Sequence, residues 1–121
     1  MPRKAPDVSP FLPVSPLDFQ VLTLLSARGE LHGYGIVAEA AGAFPEQPLL
    51  DIGSLYRIIA RLLDNELIDE VPAPADAPRD KHVRRYYDVT ERGRAVARAE
   101  AARLQALLAA PATVQLLRPA R

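Results

Sequence analysis

The segment Asp51-Ile52-Gly53-Ser54-Leu55-Tyr56-Arg57-Ile58-Ile59-Ala60-Arg61-Leu62-Leu63-Asp64-Asn65-Glu66-Leu67-Ile68-Asp69-Glu70-Val71 decides the fold, because its periodicity changes partway along. At about 100° per residue, Leu55, Ile58, Ile59, Leu62 and Leu63 share one helical face. Ser54, Arg57 and Arg61 fall together on the opposite face. Asp51 is a good N-cap, so the spacing predicts a helix over 52–65. Past Glu66, the apolar and acidic residues 67–71 read as a short strand.

Toward the C-terminus, the Pro/Ala/Asp stretch 72–80 reads as a loop. The β-branched and aromatic residues 83–89 read as a returning strand. Thr90 then caps a helix over 91–110, and Pro111 stops it. Toward the N-terminus, residues 44–50 form a proline-containing turn. An alanine-rich helix over 33–43 precedes it, with Ile36 and Val37 inward. Ser15-Pro16-Leu17-Asp18 has the composition of a helix start, and Gly29 that of a stop, so a first helix runs to about Ala27. Phe19, Val21, Leu22 and Leu25 form its apolar stripe.

The order is helix, helix, helix, strand, loop, strand, helix. This predicts a mainly α fold with a small β-hairpin, the winged helix-turn-helix plan, with an extra C-terminal helix. The domain reading is an extended, mobile arm at 1–14, the winged helix-turn-helix at 15–90, a dimerisation helix at 91–110 and a tail at 111–121. The twelve prolines serve as punctuation between these elements.

With 121 residues, the chain has the length of one domain and little room for a deep catalytic cleft. It has no cysteine, which excludes disulfides and thiolate metal sites. Arg3 and Lys4 are followed by prolines rather than an apolar run, which argues against a signal peptide. No stretch approaches membrane-spanning length, so a soluble cytoplasmic protein is expected. The formal net charge is zero, but its distribution is uneven. Residues 39–76 hold eight acids against two bases, whereas residues 79–98 hold seven bases against three acids. The local field decides where an anion docks.

Four segments in order carry a resemblance. They are Leu22-Thr23-Leu24-Leu25, then His32-Gly33-Tyr34-Gly35-Ile36, then Gly53-Ser54-Leu55-Tyr56 with Arg61-Leu62, and finally Arg84-Arg85-Tyr86-Tyr87-Asp88-Val89-Thr90-Glu91-Arg92-Gly93. Their spacing resembles the PadR family of regulators over residues 17 to about 110. The resemblance implies a winged helix-turn-helix homodimer, usually a repressor, with the C-terminal helix in the dimer interface. It also implies that helix 52–65 is the recognition helix. The family often has proline after the Leu-Tyr pair, where this chain has Arg57. That cation alters base preference, so no operator sequence transfers. The resemblance allows a small-molecule effector, but the chain has no tryptophan to form a stacking platform for one.

The expected contacts with double-stranded DNA are Tyr34, Ser54, Tyr56, Arg57 and Arg61 around the recognition helix, and Arg79, Lys81, Arg84 and Arg85 in or beside the wing. The bland alternatives are a solvated helix face and a solubilising hairpin. Strand alternation sends Arg84 with Tyr86 to one face and Arg85 with Tyr87 to the other, so one of the two arginines is structural. Ala97, Ala101, Leu104 and Leu108 recur at spacings of four, three and four, a seam for a partner helix or for the chain's own core. No metal, cofactor or catalytic residue is expected. Two rival functions stand beside DNA binding. One is a winged-helix protein-interaction module. The other is a small nucleotide-dependent oxidoreductase, suggested only by the G-x-G-x-x-A match at Gly33 to Ala38 and lacking repeated strand–helix units.

Overall fold

The helix predicted from Asp51 begins where its cap places it. In the computed structural model, which describes residues 7–46, 50–77 and 84–119, Asp51 Oδ1 accepts the Ser54 N–H at 2.7 Å. Among these residues the elements are a 3-10 turn Ser9–Phe11, α1 Pro16–Arg28, β1 Leu31–His32, α2 Gly33–Ala43, α3 Ile52–Asp64, β2 Ile68–Val71, β3 Tyr86–Val89, α4 Glu91–Ala109 and α5 Pro111–Leu117. Thr90 caps α4 as expected, accepting the Gly93 N–H at 3.0 Å. Ser15 occupies the N-cap position of α1 but makes no side-chain cap bond. Gly29 ends α1 at φ 83°, in the left-handed region that glycine tolerates.

Helix α3 ends in a tight reversal. The Glu66 N–H reaches back to the Leu63 carbonyl at 3.0 Å, and the Leu67 N–H to Leu62 at 2.9 Å. Glu66 adopts φ 57° between them, the geometry of a Schellman cap. The reversal turns the chain directly into β2. Strand β3 is central in a three-stranded antiparallel sheet of order β1-β3-β2, pairing Val89 with Ile68 and Tyr87 with Leu31. The fold is the winged helix-turn-helix expected, mainly helical with a small sheet.

One core joins the elements. Val21, Leu22, Leu24 and Leu25 of α1, Ile36 of α2, Leu55, Ile58, Ile59 and Leu62 of α3, and Val96 of α4 are buried together with Ile68, Tyr87 and Val89. Leu63 and Phe19 are only half-buried. Three features depart from the sequence reading. Strand β1 was not anticipated, since two residues are too few to show alternation. Residues 8–14 are not a free arm: Val8, Phe11, Leu12 and Val14 pack against the core. The Val14 N–H also donates to Glu100 Oε1 at 3.2 Å. The Glu100 carboxylate is buried and takes two further bonds from Arg103, at 2.8 and 2.7 Å. The tail contains α5, separated from α4 by Ala110 in an extended conformation. Tyr86 and Tyr87, sent to opposite faces by strand alternation, are both buried.

Candidate nucleic-acid interface

The apolar face of α3 is committed to the core, so its opposite face defines what the helix offers outward. Gly53, Tyr56, Arg57, Ala60, Arg61 and Asp64 are exposed. Arg57 forms no hydrogen bond or ion pair among the described residues, although its charge helps hold the Asp51 carboxyl below the usual range. The main cause of that lowering is the Ser54 N–H and hydroxyl, both donated to Asp51. Ser54 is therefore half-buried and engaged in the cap.

Arg61, expected among the DNA contacts, is paired with an acid of α1. Its Nε donates to Asp18 Oδ2 at 3.0 Å and its Nη2 to Asp18 Oδ1 at 2.6 Å. The Asp18 side chain is 11% exposed and that of Arg61 is 53% exposed, so the pair clamps the start of α1 to the last turns of α3. A bidentate carboxylate partner of this kind satisfies the guanidinium fork that a guanine would otherwise need.

Two tyrosines, one on α2 and one on α3, stand exposed. Tyr34, in the first turn of α2, is 65% exposed, and Tyr56 is 57% exposed. Large rings left in solvent, each with a hydroxyl at its tip, suit contact with sugar and phosphate.

His32 joins this helix pair to the base of the wing. Its Nδ1 accepts the Gly35 N–H at 3.1 Å and so caps α2. Its ring meets Tyr86 edge to face, with centroids 5.3 Å apart. Arg84 Nη1 lies 2.9 Å from its Nε2. A neutral imidazole accepts at one nitrogen only, so the cap and the Arg84 contact compete for it. Burial, and then the Arg84 charge, push the His32 pKa below its ordinary value. Sequence rules for caps name Ser, Thr, Asp and Asn, and therefore passed over this histidine.

The sign of the resulting pH effect follows. Above about pH 6.5 the ring is neutral in both the folded and the unfolded chain, and its full contribution is present. As the pH falls, the unfolded chain takes up the proton first, so stability drops until the folded ring also protonates. Thermal melts from pH 7.5 to 5 should show this loss in the wild type and a smaller one in His32→Asn, which caps without titrating. Parallel curves for the two proteins would remove His32 from this role.

Of the wing cations, Arg85 Nε lies 3.8 Å from Glu70 Oε1, a loose contact across the β2–β3 pair. Arg79 and Lys81 lie outside the described residues. Of the seam, Ala97 is buried in the chain's own core, Leu104 is half-buried, and Ala101 and Leu108 are exposed. Leu107, Val114, Leu116 and Leu117 add further exposed apolar surface at the end of α4 and on α5. No group of three or more metal-ligating side chains stands together among the described residues. No helix there is long and apolar enough to cross a membrane. The glycine match at Gly33 follows β1, but β1 pairs antiparallel with β3 and so forms no parallel strand–helix–strand unit with it.

Three helices, a small antiparallel sheet and an exposed, arginine-bearing third helix define a winged helix-turn-helix, the architecture of DNA-binding regulators. The PadR-like transcriptional regulator family matches residues 21–99, and the chain belongs to that family. Solved structures show the same fold. A PadR-like transcriptional regulator from Bacillus cereus strain ATCC 14579 is 21% identical with a TM-score of 0.65, covering 86% of this chain and 93% of that one. A transcriptional regulator from Clostridium thermocellum is 23% identical with a TM-score of 0.62, covering 75% and 82%. A PadR family regulator from Eggerthella lenta DSM 2243 is 25% identical with a TM-score of 0.59, covering 83% and 82%. No curated protein matches the chain.

Proposed function

We propose that this regulator is a cytoplasmic homodimer that represses transcription by occupying an inverted-repeat DNA operator. Each subunit places α3 in a major groove, and two-fold symmetry sets the half-sites about 34 Å apart. Arg57 is the main base-reading residue. Tyr34, Tyr56 and the wing cations Arg79, Lys81, Arg84 and Arg85 serve the phosphate backbone, which supplies most of the affinity.

The observation that carries this reading is Arg57 itself. It stands on the exposed face of α3, unpaired among the described residues, while its neighbour Arg61 is clamped to Asp18. A free guanidinium near the start of a recognition helix can bond guanine through two parallel hydrogen bonds, worth about 1–3 kcal/mol of discrimination. Arg57→Ala should leave folding intact and weaken cognate binding by that amount, with little change on random DNA. Gel-shift titrations of both DNAs at one salt concentration test this. Equal losses on the two would make Arg57 a phosphate contact. No shift on any DNA, the chain's own promoter region included, would favour a protein-interaction module instead.

A further inference from the structure

The outermost line of α3 is not the trio Ser54, Arg57 and Arg61. With Leu55 and Leu62 marking the centre of the buried face, the residues diametrically opposite are Gly53, Arg57, Ala60 and Asp64, spaced four, three and four apart. All four are exposed. Arg61 is turned aside to Asp18, so the residue that follows Arg57 along this line toward the C-terminus is the methyl group of Ala60. On the other side, a side chain added at Gly53 would meet only Asp51 Oδ1, at 3.3 Å. The bare backbone at Gly53 therefore lets the start of α3 approach a surface closely. Asp64 closes the line with a negative charge, which keeps the end of the helix away from phosphates and leaves residues 53–60 as the inserted part.

We infer that Ala60 is a second specificity-determining residue, its methyl packing against the C5-methyl of a thymine. The inference rests on the proposal that α3 reads DNA. A small apolar side chain on a groove-facing helix has one base feature to recognise, since the thymine methyl is the apolar group on the major-groove edge. Ala60 lies three positions after Arg57, about 4.5 Å along the helix axis. One base step is about 3.4 Å along a strand. The thymine read by Ala60 therefore lies one or two base pairs from the guanine read by Arg57, in the same half-site.

The test uses the full chain. Its preferred site is selected from random duplexes, and each thymine is then replaced in turn by deoxyuridine, which lacks only the C5-methyl. One thymine per half-site, next to or one step beyond the guanine that Arg57→Ala ceases to distinguish, should lose affinity about fourfold when so replaced, the equivalent of about 0.8 kcal/mol for one buried methyl-sized group. In Ala60→Gly the thymine and deoxyuridine sites should bind equally. Each protein is its own reference in this ratio, so a loss of helix stability in the variant leaves it unchanged. A selected site with no methyl-sensitive thymine, or a sensitivity that persists in Ala60→Gly, overturns the role of Ala60 and leaves DNA binding standing. Failure to select any sequence overturns the DNA-reading proposal and this inference with it.

Discussion

Gly93→Ala should destabilise the protein by about 3 kcal/mol, although the substitution favours a helix by about 1 kcal/mol at an open position. Gly93 lies in the first turn of α4, where the helix crosses the start of β2. A Cβ there would overlap the Leu67 carbonyl and stand 2.7 Å from Val89 Cγ2. The Leu67 backbone cannot swing aside as a flexible side chain would. Its N–H closes the end of α3, and its carbonyl accepts the Thr90 N–H at 3.0 Å. The Thr90 hydroxyl donates to the Glu66 carbonyl at 2.8 Å while accepting from Gly93. Relieving the overlap therefore moves α4, the end of α3 and the sheet together. For a domain of this size the loss corresponds to a fall in Tm of more than about 10 °C. Gly42, in α2, supplies the control, since an added Cβ there meets nothing within 4 Å. Gly42→Ala should raise the Tm slightly. Equal melting temperatures for Gly93→Ala and the wild type would show that the crossing yields more easily than its geometry suggests.

The second large effect concerns assembly. Leu108 and Leu107 on α4, and Leu116 and Leu117 on α5, leave more than half of their surface in solvent, with Leu116 at 83%. Leu104 is half-buried but does not reach the core. Ala97, the first residue of the expected seam, is used up inside its own subunit, so a partner helix would meet α4 from Ala101 onward. If the proposed homodimer forms through this surface, Leu104→Asp combined with Leu108→Asp should convert it into a monomer. Burying one leucine is worth about 1.5 kcal/mol or more, and a two-fold contact loses four of them. That sum of about 6 kcal/mol compares with about 8 kcal/mol for a micromolar dimer, before any cost of placing carboxylates in an apolar contact. Sedimentation of the double variant checks the result. A variant that remains dimeric would shift the interface to α1 and the segment at 8–14.

What could be read in the sequence was local. Helix α2 runs over 33–43 as its composition predicts, and Asp51 and Thr90 cap α3 and α4 as their side chains allow. A cap, an apolar face or a stop at Gly29 depends on residues three or four positions apart, so the spacing alone shows them. Arg57 and Arg61 show the limit of such reading. They sit about 40° apart on the same helical face and look alike in a helical projection. Asp18, 43 residues away, takes Arg61 and leaves Arg57. Gly93 and Gly42 are likewise two glycines in helices until Leu67 is brought against one of them. The packing of 8–14 and the capping role of His32 beside Arg84 depended on the same kind of information. Ion pairs, steric overlap and burial act between residues far apart in the chain, and only the tertiary fold decides which of them meet.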